Sequence, residues 1–111
     1  MTGDLTTVQG VHDSLDEITL VDCRELYEWV AGRIDGAVHL PVNAIMAGAG
    51  SDLPTDKPIA VICRTGNRSE LASMMLQARG YEAHNVAGGM EAWAAAGYAF
   101  AAEDGSEGRV V

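Results

Sequence analysis

The stretch that decides the fold reads IAVICRTGNRSELASMML, residues 59–76. It begins with four apolar residues, continues through a polar loop that contains a glycine, and ends in apolar residues that recur at helical spacing. This order predicts a strand, a loop and a helix, and the unbroken apolar run favours a strand covered on both faces. Cys63 is the first residue after the predicted strand. Ligands of open α/β sheets bind outside the carboxyl ends of the strands, so we expect Cys63 to lie in such a crevice.

Further short apolar runs predict the other strands, at residues 18–21, 37–40 and, more weakly, 84–87. Helical patterns lie between them, which is typical of a parallel sheet with crossover helices in an α/β fold. A last helix is predicted to start after Gly88 and Gly89 and to carry Met90 and Trp93 inward. The apolar positions of the other predicted helices are Val8, Val11 and Leu15 in the first, Leu26, Tyr27 and Val30 in the second, and Leu71, Met74, Met75 and Ala78 in the third.

Length and charge limit the classes of function. The chain has 111 residues, which suit one domain, and its formal charge is −9. Nucleic acids and membrane surfaces present phosphates that an acidic protein repels, so we expect neither as a partner. We predict a single domain over residues 1–100, followed by an acidic, flexible tail at residues 101–111.

The chain contains two cysteines, Cys23 and Cys63, and three histidines. Two cysteines are too few for a secreted disulfide scaffold, and no short Cys/His spacing typical of a metal site occurs. We therefore expect no metal and no cofactor. The amino terminus lacks a basic region followed by an apolar run, and no apolar stretch is long enough to span a membrane, so a cytoplasmic location is predicted.

The loop at residues 63–69 is the candidate site. A helix amino terminus offers unpaired N–H groups and the positive end of the helix dipole, and both stabilise an anion. If that anion is the Cys63 thiolate, Arg64 and Arg68 add two positive charges beside it. An ordinary cysteine with a pKa of about 8.5 is only about 3% thiolate at pH 7, so a lowered pKa is expected to activate Cys63.

The other residues of the loop suit a tight turn of N–H donors. Gly66 permits backbone conformations closed to other residues, and Asn67 tolerates left-handed geometry. Thr65 and Ser69 can supply hydroxyl donors or cap the helix. We therefore predict that the whole loop forms a cradle around the sulfur of Cys63.

Four blocks of sequence, in order, resemble the single-domain rhodanese family of thiosulfate sulfurtransferases. They are VDCRE at 21–25 with Trp29, GRIDGAVHLP at 32–41, CRTGNRS at 63–69, and VAGGM at 86–90 with Trp93. The resemblance covers nearly the whole chain. It implies a central parallel sheet of about five strands flanked by helices on both faces. The chain departs from the family where Cys23 and Arg33 stand, because the family often has an apolar residue and a histidine there.

The resemblance also implies an activity. Cys63 would take sulfane sulfur from thiosulfate or a persulfide donor and pass it, as a covalent persulfide, to cyanide or a thiol acceptor. The backbone N–H groups of residues 64–69 would stabilise the persulfide, while Arg64 and Arg68 would help to bind an anionic donor.

Alternatives remain open at this point. The domain could be a protein-to-protein sulfur carrier with a relay partner, or a regulatory binding module. A cysteine phosphatase is a weaker alternative, because that family has one residue more between cysteine and arginine than the four that separate Cys63 and Arg68. Cys23 could be a core residue or a resolving thiol, with core packing favoured. Asp22 and Arg24 are interpreted as a structural ion pair supporting the loop.

Overall fold

The computed structural model describes residues 2–111 and contains a parallel sheet of four strands in the order β2-β1-β3-β4. The strands are β1 Thr19–Asp22, β2 Val38–His39, β3 Ile59–Ile62 and β4 Ala83–Asn85. The expectation of about five strands is therefore wrong for the described residues. The carboxy-terminal segment makes only isolated antiparallel bridges, which join Ala101 to Arg33 and to Glu107 outside the sheet.

Five α-helices flank the sheet: α1 Val8–Asp13, α2 Leu26–Ala31, α3 Val42–Met46, α4 Asn67–Ala78 and α5 Gly89–Ala95, with a short 3-10 turn at Leu15–Glu17. Alternate strand residues enter two separate cores, since successive side chains of a strand point to opposite faces. Val61 packs in the core that α3 and α4 cover. Ile62 packs in the core that α1 and α5 cover. Helices thus cover both faces, and Cys63 continues the strand on the side of α3 and α4.

The predicted apolar face of α2 is wrong, and that of α4 holds only for Met75, which packs against the core. In α4, Leu71 and Met74 are 47% and 58% exposed, and the buried face includes the small residues Ala72 and Ser73. The small side chains let the helix lie close against the sheet, and Leu76 is the bulky residue that enters the core, so Leu71 and Met74 are left outside. In α2 the buried residue is Glu28, whose carboxylate accepts a hydrogen bond from Arg68.

The two tryptophans differ in burial. Trp93 is buried as predicted. Trp29 is only half-buried: its ring stacks on His39 with centroids 4.7 Å apart, and the Arg33 guanidinium lies 4.6 Å from its centroid. Stacking and cation–π contacts stabilise this aromatic ring at the surface.

The carboxy-terminal segment, expected to be loosely ordered, is hydrogen-bonded to the end of α2. The N–H of Glu103 donates to Val30 O at 3.0 Å, and the N–H of Arg109 donates to Ala31 O at 2.9 Å. A Cβ on Gly32 would lie 2.8 Å from the backbone nitrogen of Arg109, so glycine permits this close approach. Within residues 2–111 no helix is long and apolar enough to cross a membrane.

Candidate active site

Cys63 lies between the end of β3 and the start of α4, and its sulfur is enclosed by the loop. The N–H of Gly66 points at Cys63 Sγ over 3.0 Å, and the Ser69 hydroxyl lies 3.2 Å from the same atom. The backbone N–H of Ser69 also hydrogen-bonds to this sulfur. Cys63 is only 1% exposed. The predicted cradle therefore exists, and Gly66 and Ser69 form its observed donors.

Gly66 adopts a conformation that other residues rarely reach. Its φ is 108°, and it caps the amino terminus of α4. This left-handed geometry turns its N–H toward Cys63. A Cβ here would also lie 3.3 Å from the backbone nitrogen of Gly88. Both the turn and the close approach of the second loop therefore require glycine.

Cys23 lies beside Cys63. The predicted site, the loop at residues 63–69, did not include Cys23. Strands β1 and β3 pair with Asp22 opposite Ile62, and the N–H of Cys23 donates to Ile62 O at 3.0 Å. Both cysteines therefore follow the last paired residues of neighbouring parallel strands. The two thiols interact, and this interaction lowers the pKa of Cys63 and raises that of Cys23. The available signal was that Cys63 directly follows the predicted strand at 59–62 and that Cys23 stands two residues after the predicted strand at 18–21.

The hydrogen bond from Cys23 is the largest influence on the ionisation of Cys63. Together with the donors on Ser69 and Gly66 it outweighs burial and lowers the pKa of Cys63 to about 4. The pKa of Cys23 is raised in turn, first because its proton is held in this hydrogen bond and then because the thiol is buried. The environment of the pair therefore favours ionisation of Cys63 over that of Cys23.

Arg68 is held by Glu28 of α2. Arg68 Nη1 donates to Oε1 at 2.6 Å and Nη2 donates to Oε2 at 2.8 Å, the bidentate arrangement that arginine favours with carboxylates. Burial disfavours the charged carboxylate, but the bonds from Arg68 lower the pKa of Glu28 overall. The Arg68 charge also acts on both thiols, Cys23 and Cys63. Arg68 therefore shapes the loop and contributes positive potential while already paired.

Arg64, Thr65 and Asn67 lie on the outer side of the loop. Arg64 Nε lies 3.2 Å from Glu91 Oε2, with both side chains about half exposed to solvent. Thr65 and Asn67 are exposed. The structure thus separates the loop into an inner set of donors, Gly66 and Ser69, and an outer set available to a docking donor.

Asp22 and Arg24 form a buried ion pair at the end of β1. Arg24 Nη2 donates to Asp22 Oδ2 at 2.7 Å and to Gly32 O at 2.6 Å, and Arg24 Nε donates to Asp22 Oδ1 at 2.9 Å. Both residues are at most 1% exposed. These bonds hold the chain on both sides of Cys23, which fits the structural interpretation rather than direct contact with a substrate.

Two further residues, Asn85 and Met90, support the loop from later in the chain. Asn85 Nδ2 donates to Gly66 O at 3.1 Å, and the Ser69 hydroxyl contacts Asn85 Oδ1 at 2.5 Å as well as Cys63 Sγ. A hydroxyl has one hydrogen, so Ser69 donates to one of these acceptors at a time. The N–H of Met90 donates to Cys63 O at 2.8 Å.

The VAGGM block places α5 against the loop. The N–H of Glu91 donates to Arg64 O at 3.0 Å, beside the bond from Met90 to Cys63. Gly89 has a φ of 55°, and a Cβ there would collide with the backbone of Cys63 and Arg64. Among residues 2–111 no group of three His, Cys, Asp or Glu side chains is arranged to hold a metal ion.

Comparisons with known proteins agree with this geometry. A family model described as a rhodanese-like domain matches residues 7–96. A rhodanese-related protein from Thermoplasma volcanium superposes with a TM-score of 0.81 at 30% identity, over 87% of this chain and 96% of that one. A rhodanese-like domain protein from Staphylococcus aureus superposes with a TM-score of 0.71 at 31% identity, over 78% of this chain and 87% of the other. The chain belongs to the rhodanese-like domain family.

Curated relatives carry names related to sulfur transfer. A protein of Allochromatium vinosum named sulfurtransferase is 35% identical over 91 residues, which are 81% of this chain and 84% of the relative. The Mycobacterium tuberculosis protein named "Probable adenylyltransferase/sulfurtransferase MoeZ" is 35% identical over 97 residues, 83% of this chain. The chain covers only 25% of the length of that relative.

Proposed function

We propose that this protein is a sulfurtransferase that moves sulfane sulfur through a persulfide on Cys63. The observation that carries the proposal is the buried sulfur of Cys63, which accepts hydrogen bonds from the Gly66 N–H and the Ser69 hydroxyl. A thiolate is the nucleophilic form of cysteine, and fixed N–H donors also stabilise a terminal sulfur that carries negative charge. Membership in the rhodanese-like family and relatives named sulfurtransferase support it.

The reaction has two displacements. In the first, Cys63 Sγ attacks the outer sulfur of thiosulfate, the sulfur–sulfur bond of the donor breaks, and sulfite leaves with the electron pair. In the second, cyanide or an acceptor thiolate attacks the outer sulfur of the Cys63 persulfide, and Cys63 leaves as the thiolate. The products are thiocyanate or a new persulfide. In these two steps Cys63 is the protein group that forms and breaks covalent bonds, and the loop donors stabilise the charged sulfur.

The shape of the site limits the donor. Because Cys63 is only 1% exposed, the donor must present its reactive sulfur on a narrow end, as thiosulfate and a cysteine persulfide both do. Arg64 and Arg68 are each already paired with a carboxylate, so they supply positive potential and outer contacts rather than an open pocket for a bulky anion. A phosphoryl group, with three oxygens to accommodate, fits this short loop less well.

The second candidate function is a sulfur carrier that receives persulfide sulfur from one protein and passes it to another. Burial of Cys63 favours it, since a sheltered persulfide is protected from stray thiols on the way to its acceptor. The relative whose name joins adenylyltransferase and sulfurtransferase supports a relay partner. We place either role in the cytoplasm, where acceptor thiols remain reduced.

Intact-protein mass spectrometry tests the proposal. The reduced protein is incubated with thiosulfate or with a protein persulfide and then treated with cyanide or a thiol. We expect a gain of one sulfur that Cys63→Ala abolishes and that the acceptor removes. Faster loading from the protein persulfide would favour the carrier role. Absence of sulfur gain and of released sulfide with both donors, in a protein whose Cys63 alkylates rapidly at neutral pH, would contradict sulfur transfer.

A further inference from the structure

The second cysteine is placed to react with the first. Cys23 and Cys63 each follow the last paired residues of β1 and β3, lie in the same core cluster on the same face of the sheet, and are both 1% exposed. The two thiols are near enough for each to shift the pKa of the other. No other cysteine exists in the chain. The inner sulfur of a Cys63 persulfide would therefore face a thiol.

The strand register permits a bond between them. Directly paired residues of neighbouring strands lie about 4.8 Å apart, and a disulfide needs Cα atoms about 4.4–6.8 Å apart with both Cβ atoms directed to the same side. The N–H of Cys23 still donates to Ile62 O, so the pairing of the two strands continues to the cysteines. A disulfide between them needs rotation of side chains and no movement of either strand.

This inference rests on the proposed function. We propose that Cys23 is the resolving thiol of the Cys63 persulfide: it attacks the inner sulfur, forms a Cys23–Cys63 disulfide and releases hydrosulfide. The domain would then convert sulfane sulfur to sulfide whenever no acceptor removes it first. A dithiol reductant is the class of partner that must return the disulfide to the two thiols.

The step balances without an outside oxidant. The Cys23 sulfur forms a bond to Cys63 Sγ, and the bond between Cys63 Sγ and the outer sulfur breaks. The outer sulfur leaves with the electron pair and takes the proton of Cys23, so it departs as hydrosulfide. The sulfane sulfur is reduced by two electrons, and the two cysteines are oxidised to the disulfide. With thiosulfate as the donor, the net products are sulfite, hydrosulfide and disulfide.

The surroundings favour this intramolecular route. Both sulfurs are buried, so a thiol from solution reaches the inner sulfur of Cys63 less readily than its neighbour does. The buried pair Asp22 and Arg24 fixes the backbone beside Cys23, which keeps the attacking group in place. Holding two reacting groups in contact raises the rate well above that of a bimolecular reaction.

The experiment follows one loading reaction without acceptor and with oxygen excluded. Fully reduced protein, freed of reductant, receives thiosulfate in one arm and inorganic polysulfide in the other. Intact mass distinguishes the persulfide, which is one sulfur heavier, from the disulfide, which is two hydrogens lighter, and released sulfide is measured in parallel. For the wild type we expect a transient persulfide, then the disulfide with equimolar sulfide, at a rate independent of protein concentration.

Cys23→Ser is the matched variant, because serine keeps a hydrogen-bond donor beside Cys63 but cannot form a disulfide. We expect it to load sulfur and to hold the persulfide at least about tenfold longer than the wild type, with no sulfide released. Equal persulfide lifetimes in the two proteins, without disulfide or sulfide, would overturn the resolving role while leaving sulfur transfer intact. Failure of both proteins to load from either donor would overturn the proposed function and this inference together.

The wild-type arm is decisive even if Cys23→Ser does not fold. Peptide mapping of the wild-type product under non-reducing conditions is expected to recover one linked pair of peptides that contain Cys23 and Cys63. A rate that rises with protein concentration, or a disulfide between two chains, would contradict the intramolecular step.

Discussion

The guanidinium of Arg68 forms two hydrogen bonds to the carboxylate of Glu28, at 2.6 and 2.8 Å, across 40 residues of sequence. Arg68 lies in the first turn of α4, and Glu28 lies in α2, the helix that follows Cys23. The ion pair thus joins the two chain segments whose cysteines meet. Its Glu28 end is buried, while its Arg68 end is about one-third exposed.

Glu28→Gln should destabilise the fold. The substitution leaves the Arg68 charge without its carboxylate partner. Because the Arg68 side chain is partly solvated, we expect a loss of about 1–3 kcal/mol in the free energy of unfolding. Urea unfolding at neutral pH measures it. An unchanged free energy would show that the pair is energetically neutral. Glu103→Gln, which removes the exposed carboxylate partner of Arg33, is the control and should cost less than about 1 kcal/mol.

The same ion pair predicts a direction of pH dependence. The pKa of Glu28 is lowered in the folded protein, so its contribution is complete above the ordinary carboxylate pKa and is lost as the pH falls through the lowered value. Stability of the wild type should therefore decline more steeply in acid than that of Glu28→Gln. Parallel acid-unfolding curves for the two proteins would be inconsistent with this assignment.

Cys63 should react as a thiolate well below neutral pH. Its pKa is lowered to about 4, so the rate of alkylation should stay level from neutral pH into mild acid and fall with a midpoint near that value. In Cys23→Ala the midpoint should move upward, because the hydrogen bond from Cys23 is the largest stabilising influence on the thiolate. Cys23→Ser, which retains a donor, should move it less. A wild-type midpoint at an ordinary cysteine pKa of about 8.5 would remove the basis for an activated nucleophile.

Ser69→Ala should raise the pKa of Cys63 by less than Cys23→Ala does. Ser69 contributes both a hydroxyl and a backbone N–H, and only the hydroxyl is lost on substitution. The hydroxyl is also shared with Asn85 Oδ1, so it supports the thiolate for only part of the time. Alkylation rates against pH for the two variants, measured side by side, provide the comparison. A larger effect in Ser69→Ala would reverse the assigned order of the donors.

Gly66→Ala should impair both the fold and the loading of sulfur. At a φ of 108° a side chain costs about 1–2 kcal/mol, and the misplaced N–H no longer meets Cys63 Sγ. Gly36→Ala is a matched control, since Gly36 has a φ of 84° with nothing within 4 Å of the built Cβ. Gly66→Ala should lose more stability, because its Cβ also lies 3.3 Å from the backbone nitrogen of Gly88, and only Gly66→Ala should load sulfur more slowly by mass spectrometry. Equal loading in the two variants would contradict the role of this N–H.

Local patterns in the sequence determined much of the site. The strand at 59–62, the polar loop and the following helix are consecutive in the chain, so apolar patterning and glycine placement predicted them directly. The same holds for Cys63 as the residue at the carboxyl end of a strand, and for Gly66 as the turn before the helix. Such features depend on backbone preferences of neighbouring residues, which a sequence displays without knowledge of the rest of the fold.

Only the tertiary structure decided which distant groups meet at the sulfur. The parallel pairing of β1 with β3 puts Cys23 against Cys63, and the packing of α2 beside α4 joins Glu28 to Arg68. It also left Leu26 and Tyr27 of α2 and Leu71 and Met74 of α4 exposed, because the buried positions are taken by an ion-paired glutamate in α2 and by small residues and Leu76 in α4. These outcomes depend on register and on close packing between segments far apart in sequence, and residue order alone does not specify either.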